Sequence, residues 1–506
     1  MNKILLITFT LCMNTLFAQR EAYNWIWGTC FPEFGCDGID DGLNGTGIMK
    51  FNDDSLESIT TKYFPAPFTL GSAAISDSSG NFLMAFNGKT LFDSSGSILT
   101  EMNDLPFNEL IIAYRGFLFL KPRVNDGYYY LLNSYSGNFA NSPNPYNVGI
   151  DTLFSVSKIK VVEVGFSIEE TIRYELPILT VPGGIDACRH ANGRDWWFLK
   201  LGQRKNHYVR GLLTPYSMQL EPYYTNQDSA YTNFAWASFS ADGSKYVHWF
   251  GGHIRELQVF DFDRCTGELS NLQTFDFGGV ISNDGFIDFT PFSLSPDGSK
   301  IYMVRSNVQL VVSQNFQFDL GTETLTVISD SLGVFSLTPN LKQMIAGSCC
   351  VDYTPTPDVP YANILKQPNA EGVNAEFIPF YYELPLYGFN YTPPNQANHL
   401  LGPVDGTVCD TLGLNDETSI KKLEQFSFNV FPNPGNEVIH FTTDLPLPLK
   451  LTVRDNQGRT VIEKTMNQKS FSIQDGIAEL NTGIYFIELK SLKKPNRLVK
   501  KWMKME

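Results

Sequence analysis

The densest collection of reactive side chains in this chain is the run Cys188-Arg189-His190-Ala191-Asn192-Gly193-Arg194-Asp195-Trp196-Trp197. An imidazole, a guanidinium and a carboxylate beside two indoles could line a pocket for an aromatic or sugar ligand. The rings would stack, and His190, Arg194 and Asp195 would supply polar contacts. A plainer reading fits the same residues. Asn192-Gly193 makes a turn, and Trp196 and Trp197 fill packing on the two faces of the next strand. A histidine beside an inner strand then completes a buried hydrogen-bond network. Packing is the expected role, with His190, Arg194, Asp195 and Trp196 retained as candidate ligand-facing residues. His248, Trp249 and His253 around Gly251-Gly252 form a second group. Two histidines five residues apart in a strand and loop do not share a helical face, so no metal pair is implied, and His248 and Trp249 stand only as ligand-facing candidates. Asp37, Asp40, Asp41 and Asn44 could offer oxygen ligands to calcium, but their spacing departs from an EF-hand loop and solvated turn residues are favoured.

No Gly-x-Ser-x-Gly, His-Glu-x-x-His or Gly-rich phosphate loop occurs, and no cofactor is expected. Cys30 and Cys36 bracket a tight loop and are the best disulfide pair. The adjacent Cys349 and Cys350 would point to opposite faces of a strand. No Cys-x-x-Cys or paired His spacing suggests zinc, so no metal is expected.

The elements that position these residues repeat. Ser238-Phe239-Ser240-Ala241-Asp242-Gly243-Ser244-Lys245-Tyr246-Val247 is nearly restated as Ser293-Leu294-Ser295-Pro296-Asp297-Gly298-Ser299-Lys300-Ile301-Tyr302, and more weakly from Ser336 to Ile345. Turn glycines at 80, 127, 193, 243 and 298 are spaced 47, 66, 50 and 55 residues apart. Asp caps each bend and Gly accepts positive φ, so strands of alternating polarity are joined by sharp turns. A second hairpin follows at Val259 to Leu269 and again at Phe316 to Leu325, making four strands per unit. Such periods of short strands read as propeller blades. The Ser-Pro-Asp-Gly-Ser-Lys units resemble those of TolB-like and WD-repeat-like propellers, a resemblance covering roughly residues 25 to 400 that specifies fold better than function. The expected fold is all-β: a propeller of seven four-stranded blades followed by a small β-sandwich. Gly47 to Leu56 reads as an outer hairpin lacking inner partners, which suits a ring closed by strands from both ends of the body.

At the C-terminus, Phe431-Pro432-Asn433-Pro434-Gly435, then Asp455-Asn456-Gln457-Gly458-Arg459, then Asn481-Thr482-Gly483-Ile484-Tyr485 lead to the basic Lys500-Lys501-Trp502-Met503-Lys504. Alternation at Phe426, Phe428, Val430 and at Leu449, Leu451, Val453 marks half-buried strands between turns, a β-sandwich pattern. In this order the motifs resemble the type A sorting domain of the type IX secretion system. That resemblance implies that Pro432, Asn433, Pro434, Asp455, Gly458, Arg459, Gly483 and Tyr485 belong to an export signal read by the secretion machinery.

Lys3, the apolar Ile4 to Phe9 and Leu16-Phe17-Ala18 read as a signal peptide over 1–18. The expected division is 1–18 signal peptide, 19–404 propeller, 405–424 linker and 425–506 sorting domain. No other apolar run approaches membrane-spanning length, so no transmembrane anchor is expected and the product is secreted or attached to the outer surface. Charge is uneven. Residues 421–506 carry 14 Lys+Arg against 9 Asp+Glu, leaving 24 against 44 elsewhere, and an acidic body argues against nucleic-acid binding. Two function classes remain open. The first is a non-enzymatic propeller that binds an extracellular glycan or protein. The alternative is a secreted, polysaccharide-directed hydrolase or lyase with its site in the propeller channel.

Overall fold

The computed structural model describes residues 19–27, 45–66, 68, 72–101, 115–124, 126–134, 151–162, 165–226, 230–231, 235–250, 256–277, 292–307, 312–330, 334–347, 361–384, 395–412, 428–443, 445–456, 458–492 and 497–505. Residues 1–18, read above as a signal peptide, together with Cys30 and Cys36, Asp37 to Asn44, His253, and Cys349 and Cys350, lie outside them. The chain divides into two compact units, 1–415 and 416–506. Among the described residues every regular element is a strand except one short 3-10 turn, Gly372–Ala375.

The first unit is a seven-bladed propeller of antiparallel sheets in chain order. Blade 1 has strands Asn24–Trp27, Gly45–Phe51 and Leu56–Tyr63; blade 2 has Ala73–Ser76, Phe82–Phe86, Thr90–Asp93 and Ile98–Glu101. Blades 3 and 4 form one seven-stranded sheet, because Phe166–Arg189 serves both. Its first part pairs with Asp151–Val161 as the outer strand of blade 3, and residues 185–189 pair with Trp196–Gly202 as the inner strand of blade 4. Blade 3 begins with Phe117–Leu120 and Tyr128–Ser134, and blade 4 ends with His207–Leu213 and Met218–Tyr224. Blade 5 runs Ala235–Phe239, Lys245–Phe250, Glu256–Phe262 and Leu269–Asp276; blade 6 Phe292–Leu294, Lys300–Asn307, Val312–Asp319 and Thr324–Ser329; blade 7 Val334–Leu337, Met344–Gly347, Tyr361–Leu365 and Phe377–Glu383.

Large apolar side chains fill the seams between blades, and the ring closes on itself. Tyr23 and Trp25 of the first blade pack with Ile345 and Ala362 of the seventh. Asn340 Nδ2 donates to Asn52 O at 3.0 Å across the same seam.

Blade 1 has three described strands, all from the N-terminal end. Asn24 bonds Ser76 and Gly80 at the first turn of blade 2, so its strand starts at the face where other blades turn from first to second strand. The strand therefore runs like a second strand, and no described strand pairs with its inner edge. Residues 395–401 come beside it without joining the sheet, and the Gln396 side chain donates to Asn24 O at 2.8 Å.

The second unit is a sandwich. A three-stranded sheet, Phe428–Phe431, Ile439–Thr443 and Ser470–Ile473, faces a four-stranded sheet of Thr460–Met466, Leu449–Arg454, Gly483–Ser491 and Arg497–Lys504. Phe441, Leu451, Val453, Ile487 and the fully buried Trp502 form its core.

Candidate functional site

The repeated turns share one geometry. The third residue after the turn's start donates its N–H back to the starting carbonyl: Gly80 to Asp77, Gly193 to His190, Gly243 to Ser240, Gly298 to Ser295 and Leu341 to Thr338, all at 2.8–3.0 Å. In each the donor has positive φ, from 85° at Gly80 to 59° at Leu341, which is why glycine holds four of the five places. In blades 5 and 6 the aspartate caps its own bend. Asp242 Oδ1 accepts from Ser240 Oγ and Ser244 N, and Asp297 Oδ1 does the same with Ser295 and Ser299. Partial burial pushes both carboxyls up, but these hydrogen bonds outweigh it and hold them below the usual carboxylate range.

These turns surround one mouth of the channel, and the chain itself fills it. Residues 395–401 enter between the inner strands: Asn395 N donates to Ser72 O at 3.0 Å, Asn395 Nδ2 to Ile185 O at 3.0 Å, and Asn398 Nδ2 to Ala241 O at 2.6 Å. Asn395, Ala397 and His399 are buried. The segment then crosses the turn face, where Val404 N donates to Ala191 O at 2.8 Å and Arg264 Nη2 to Gly402 O. It ends in a disulfide between Cys409 and Cys265, with Cα atoms 5.6 Å apart, on the outer hairpin of blade 5. This pair and this strap were not anticipated from sequence. They also place residues 405–409, read as the start of a linker, against the propeller.

Beside the strap remains a cavity of about 100 Å³, lined by Arg115, Asp186, Ser238, Ser293, Gln396 and His399 among others. Asp186 accepts from the backbone N–H of Ala187 and Phe239, each at 2.8 Å, with Arg115 Nη1 3.9 Å away. Burial pushes the Asp186 carboxyl up against the opposing pull of Arg115. Arg115 itself stacks over Trp236, 4.6 Å from the ring centre.

The His190 to Trp197 run is where the strap is held. Trp196 is fully buried among Leu118, Tyr130 and Phe154 of blade 3, and Trp197 is buried with Phe239, Tyr246 and Phe260 of blade 5. The indole N–H of Trp196 donates to Lys121 O and that of Trp197 to Arg264 O, each at 3.0 Å. Asp195 binds the Arg194 guanidinium at 2.7 and 3.0 Å and accepts from Asn192 Nδ2 at 2.7 Å. His190 Nδ1 accepts from Asn192 N at 3.0 Å, and burial holds the imidazole below its ordinary pKa. Asn192, Asp195 and His190 Nδ1 bond within this turn, and both indoles are packed into the blade seams. The Trp196 ring meets His399 of the strap edge-on at 4.9 Å and the buried Arg189 guanidinium at 4.2 Å. Burial lowers Arg189 to about 9.

His248 and Trp249 lie inside the packing of blade 5. His248 is fully buried, bonded to Gln258 at 2.8 Å and Tyr208 at 3.2 Å, and burial lowers it to about 3. Trp249 points to the other side of the strand, into the seam with blade 6. Among the described residues no three His, Cys, Asp or Glu side chains gather as metal ligands would.

In the second unit the motif residues lock the last strand. Trp502 Nε1 donates to Pro432 O at 2.9 Å, Asn433 Nδ2 to Lys501 O at 2.8 Å, and Met503 N to Asn433 Oδ1 at 3.0 Å. A Cβ on Gly435 would meet Pro432 O at 2.8 Å, so the close approach requires glycine. Asp455 caps its turn by accepting from Arg459 N at 2.9 Å and Arg459 Nε at 2.7 Å, while Gly458 takes φ 81°. Tyr485 donates to Asn481 O at 2.9 Å, closing the turn before Gly483.

Residues 429–505 match the secretion system C-terminal sorting domain family. The tail is a type IX secretion sorting domain, and the chain is therefore an exported protein of the cell surface or exterior. No described helix is long and apolar enough to cross a membrane. No curated protein matches the chain. Similar solved structures include a candidate 6-phosphogluconolactonase from Bacteroides uniformis, at 14% identity over 73% of this chain and 98% of that one, with a TM-score of 0.43. The periplasmic gluconolactonase PpgL of Pseudomonas aeruginosa aligns at 12% identity over 73% and 98%, TM-score 0.41. The Cps50 (Swd1) β-propeller domain of Myceliophteria thermophila does so at 10% over 61% and 88%, TM-score 0.36.

Proposed function

We propose that the propeller of this type IX secretion substrate is a non-enzymatic binding module for an extracellular glycan or protein. In this reading 19–404 is the binding body, 405–424 leads out of it, and 425–506 engages the secretion machinery. The observation that carries it is the occupied channel. A glycosidase site needs two carboxylates roughly 5–10 Å apart flanking a bound sugar. The described cavity lining holds one carboxylate, Asp186, already engaged by two backbone N–H groups and Arg115. Its volume of about 100 Å³ also falls short of the roughly 300–1,000 Å³ typical of small-molecule sites.

The test is to screen the full exported chain against glycans, polysaccharides and surface proteins, for binding and for released product. Retention of a ligand without turnover is expected. Catalytic release of an oligosaccharide would replace this reading with the polysaccharide-directed hydrolase or lyase. Export is tested separately by deleting 429–506, which should leave the folded propeller in the periplasm. Continued secretion of that truncation would contradict the role given to the tail.

A further inference from the structure

We propose that residues 395–409 are a disulfide-latched plug, and that the channel they fill is a binding site for an extended polypeptide bearing side-chain carboxamides. The proposal deepens the binding reading above and rests on it. Four observations lead there. Blade 7 packs directly on blade 1 through Tyr23, Trp25, Ile345 and Ala362, and the strap adds only the half-buried Leu400 to the rim of that seam. The strap makes no sheet ladder; Asn395, Gln396 and Asn398 each donate to a main-chain carbonyl of a different blade, contacts that any extended chain with amides at matching positions could repeat. The fit is incomplete: Gln396 Oε1 and His399 Nδ1 are buried without a partner among the described residues, and a cavity of about 100 Å³ lies beside them. Buried unpaired groups weaken an occupant relative to one that satisfies them. Finally, the outer end is held covalently, at a pair of half-buried cysteines on the rim.

The latch converts a weak occupant into a dominant one. Tethering raises the strap's effective concentration in the channel far above that of a free peptide, and the disulfide shortens the tether. A dithiol reductant would open it by ordinary exchange. Its thiolate attacks one sulfur of the Cys265–Cys409 bond to give a mixed disulfide and a free cysteine thiolate. The second thiol then closes the reductant into a cyclic disulfide. Two electrons and two protons end on Cys265 and Cys409 as thiols.

The experiment uses the full chain, oxidised or treated with dithiothreitol, and a dye-labelled synthetic peptide of residues 395–409 carrying Cys409→Ser. In the oxidised protein the strap should resist proteolysis and the peptide should not bind. After reduction, cleavage within 395–409 should accelerate on the order of 10²-fold. The peptide should then bind one to one, and Trp196 emission should shift as His399 leaves its ring. The β-sheet circular dichroism should stay unchanged. The Cys409→Ser variant, which needs no reductant, should behave as the reduced protein. Two results overturn the proposal: a strap that stays protected and a channel that refuses peptide after reduction, or loss of the β signal together with strap release. Either leaves glycan or protein capture elsewhere on the propeller intact, so failure here is distinct from failure of the binding reading.

Discussion

Blades 4 and 5 begin with the same turn and use it differently. In blade 5, Ser240, Asp242 and Ser244 satisfy one another, and the strap reaches the turn through one side chain, Asn398 Nδ2 to Ala241 O. In blade 4 the equivalent bend, His190 to Gly193, lacks a serine-capped aspartate and instead closes through Asn192 and Asp195. That leaves Ala191 O to receive Val404 and Gly193 to lie against Pro403, where an added Cβ would come within 2.8 Å of the proline nitrogen. The run that looked most like chemistry departs from the repeat where the strap's main chain docks, through Val404 N and Pro403. In a repeat protein, a break in turn chemistry marks what the repeat must hold.

The largest test of that contrast is Trp196→Ala. Removing a fully buried indole that packs blade 3 against the strap should cost ~3–5 kcal/mol in chemical denaturation, with Trp197→Ala somewhat less because it is slightly more exposed. Two stable alanine variants would return the run to the list of ligand-facing candidates. Next come the glycines. Gly298→Ala meets only Ser240 Cβ at 3.4 Å, so it should cost about 1–2 kcal/mol for the left-handed backbone alone. Gly193→Ala carries the same backbone cost plus the clash with Pro403, and should also raise protease sensitivity at 395–409. Equal behaviour of the two would mean the strap is not seated on blade 4.

Acid should act on the regular blades first. Asp319 is held down to about 2, chiefly by the Lys300 ammonium, and Asp242 and Asp297 also lie below the usual range. An unfolded aspartate titrates near roughly 3.9, so these groups contribute stability that is complete above that pH and lost as pH falls toward 2. The pH dependence of the denaturation midpoint between those limits should flatten in Asp319→Asn. The smallest effect belongs to Tyr246, which occupies in blade 5 the place Trp196 has in blade 4. Its buried hydroxyl has no partner among the described residues, so Tyr246→Phe should leave stability unchanged or slightly raised.

What could be read from sequence follows the same division. Turn positions at Gly80, Gly127, Gly193, Gly243 and Gly298 all take positive φ, because the requirement is local and only glycine meets it cheaply. The sorting motifs were readable for the same reason: each closes its own turn or touches the final strand. The strap was not readable. Asn395 to Leu401 has no period, forms no strand, and owes its place to carbonyls of blades far away in sequence. The Cys265–Cys409 pair spans 144 residues, whereas Cys30 and Cys36 drew attention only by nearness. Arg115 and Asp186 were equally silent, since a lone arginine and a lone aspartate become a pair only when two blades bring them together.

The uninterrupted strand Phe166–Arg189 bears on where this ring could be recut. It bends between blades 3 and 4 at Gly183 and Gly184, with φ 76° and 59°, and pairing resumes at Ile185 after a register break. New ends at 183–184 would split a seven-stranded sheet and free the inner strand that carries Asp186, Cys188 and Arg189 from its covalent neighbour. A circular permutant opened here should therefore lose the seat of the strap along with the sheet.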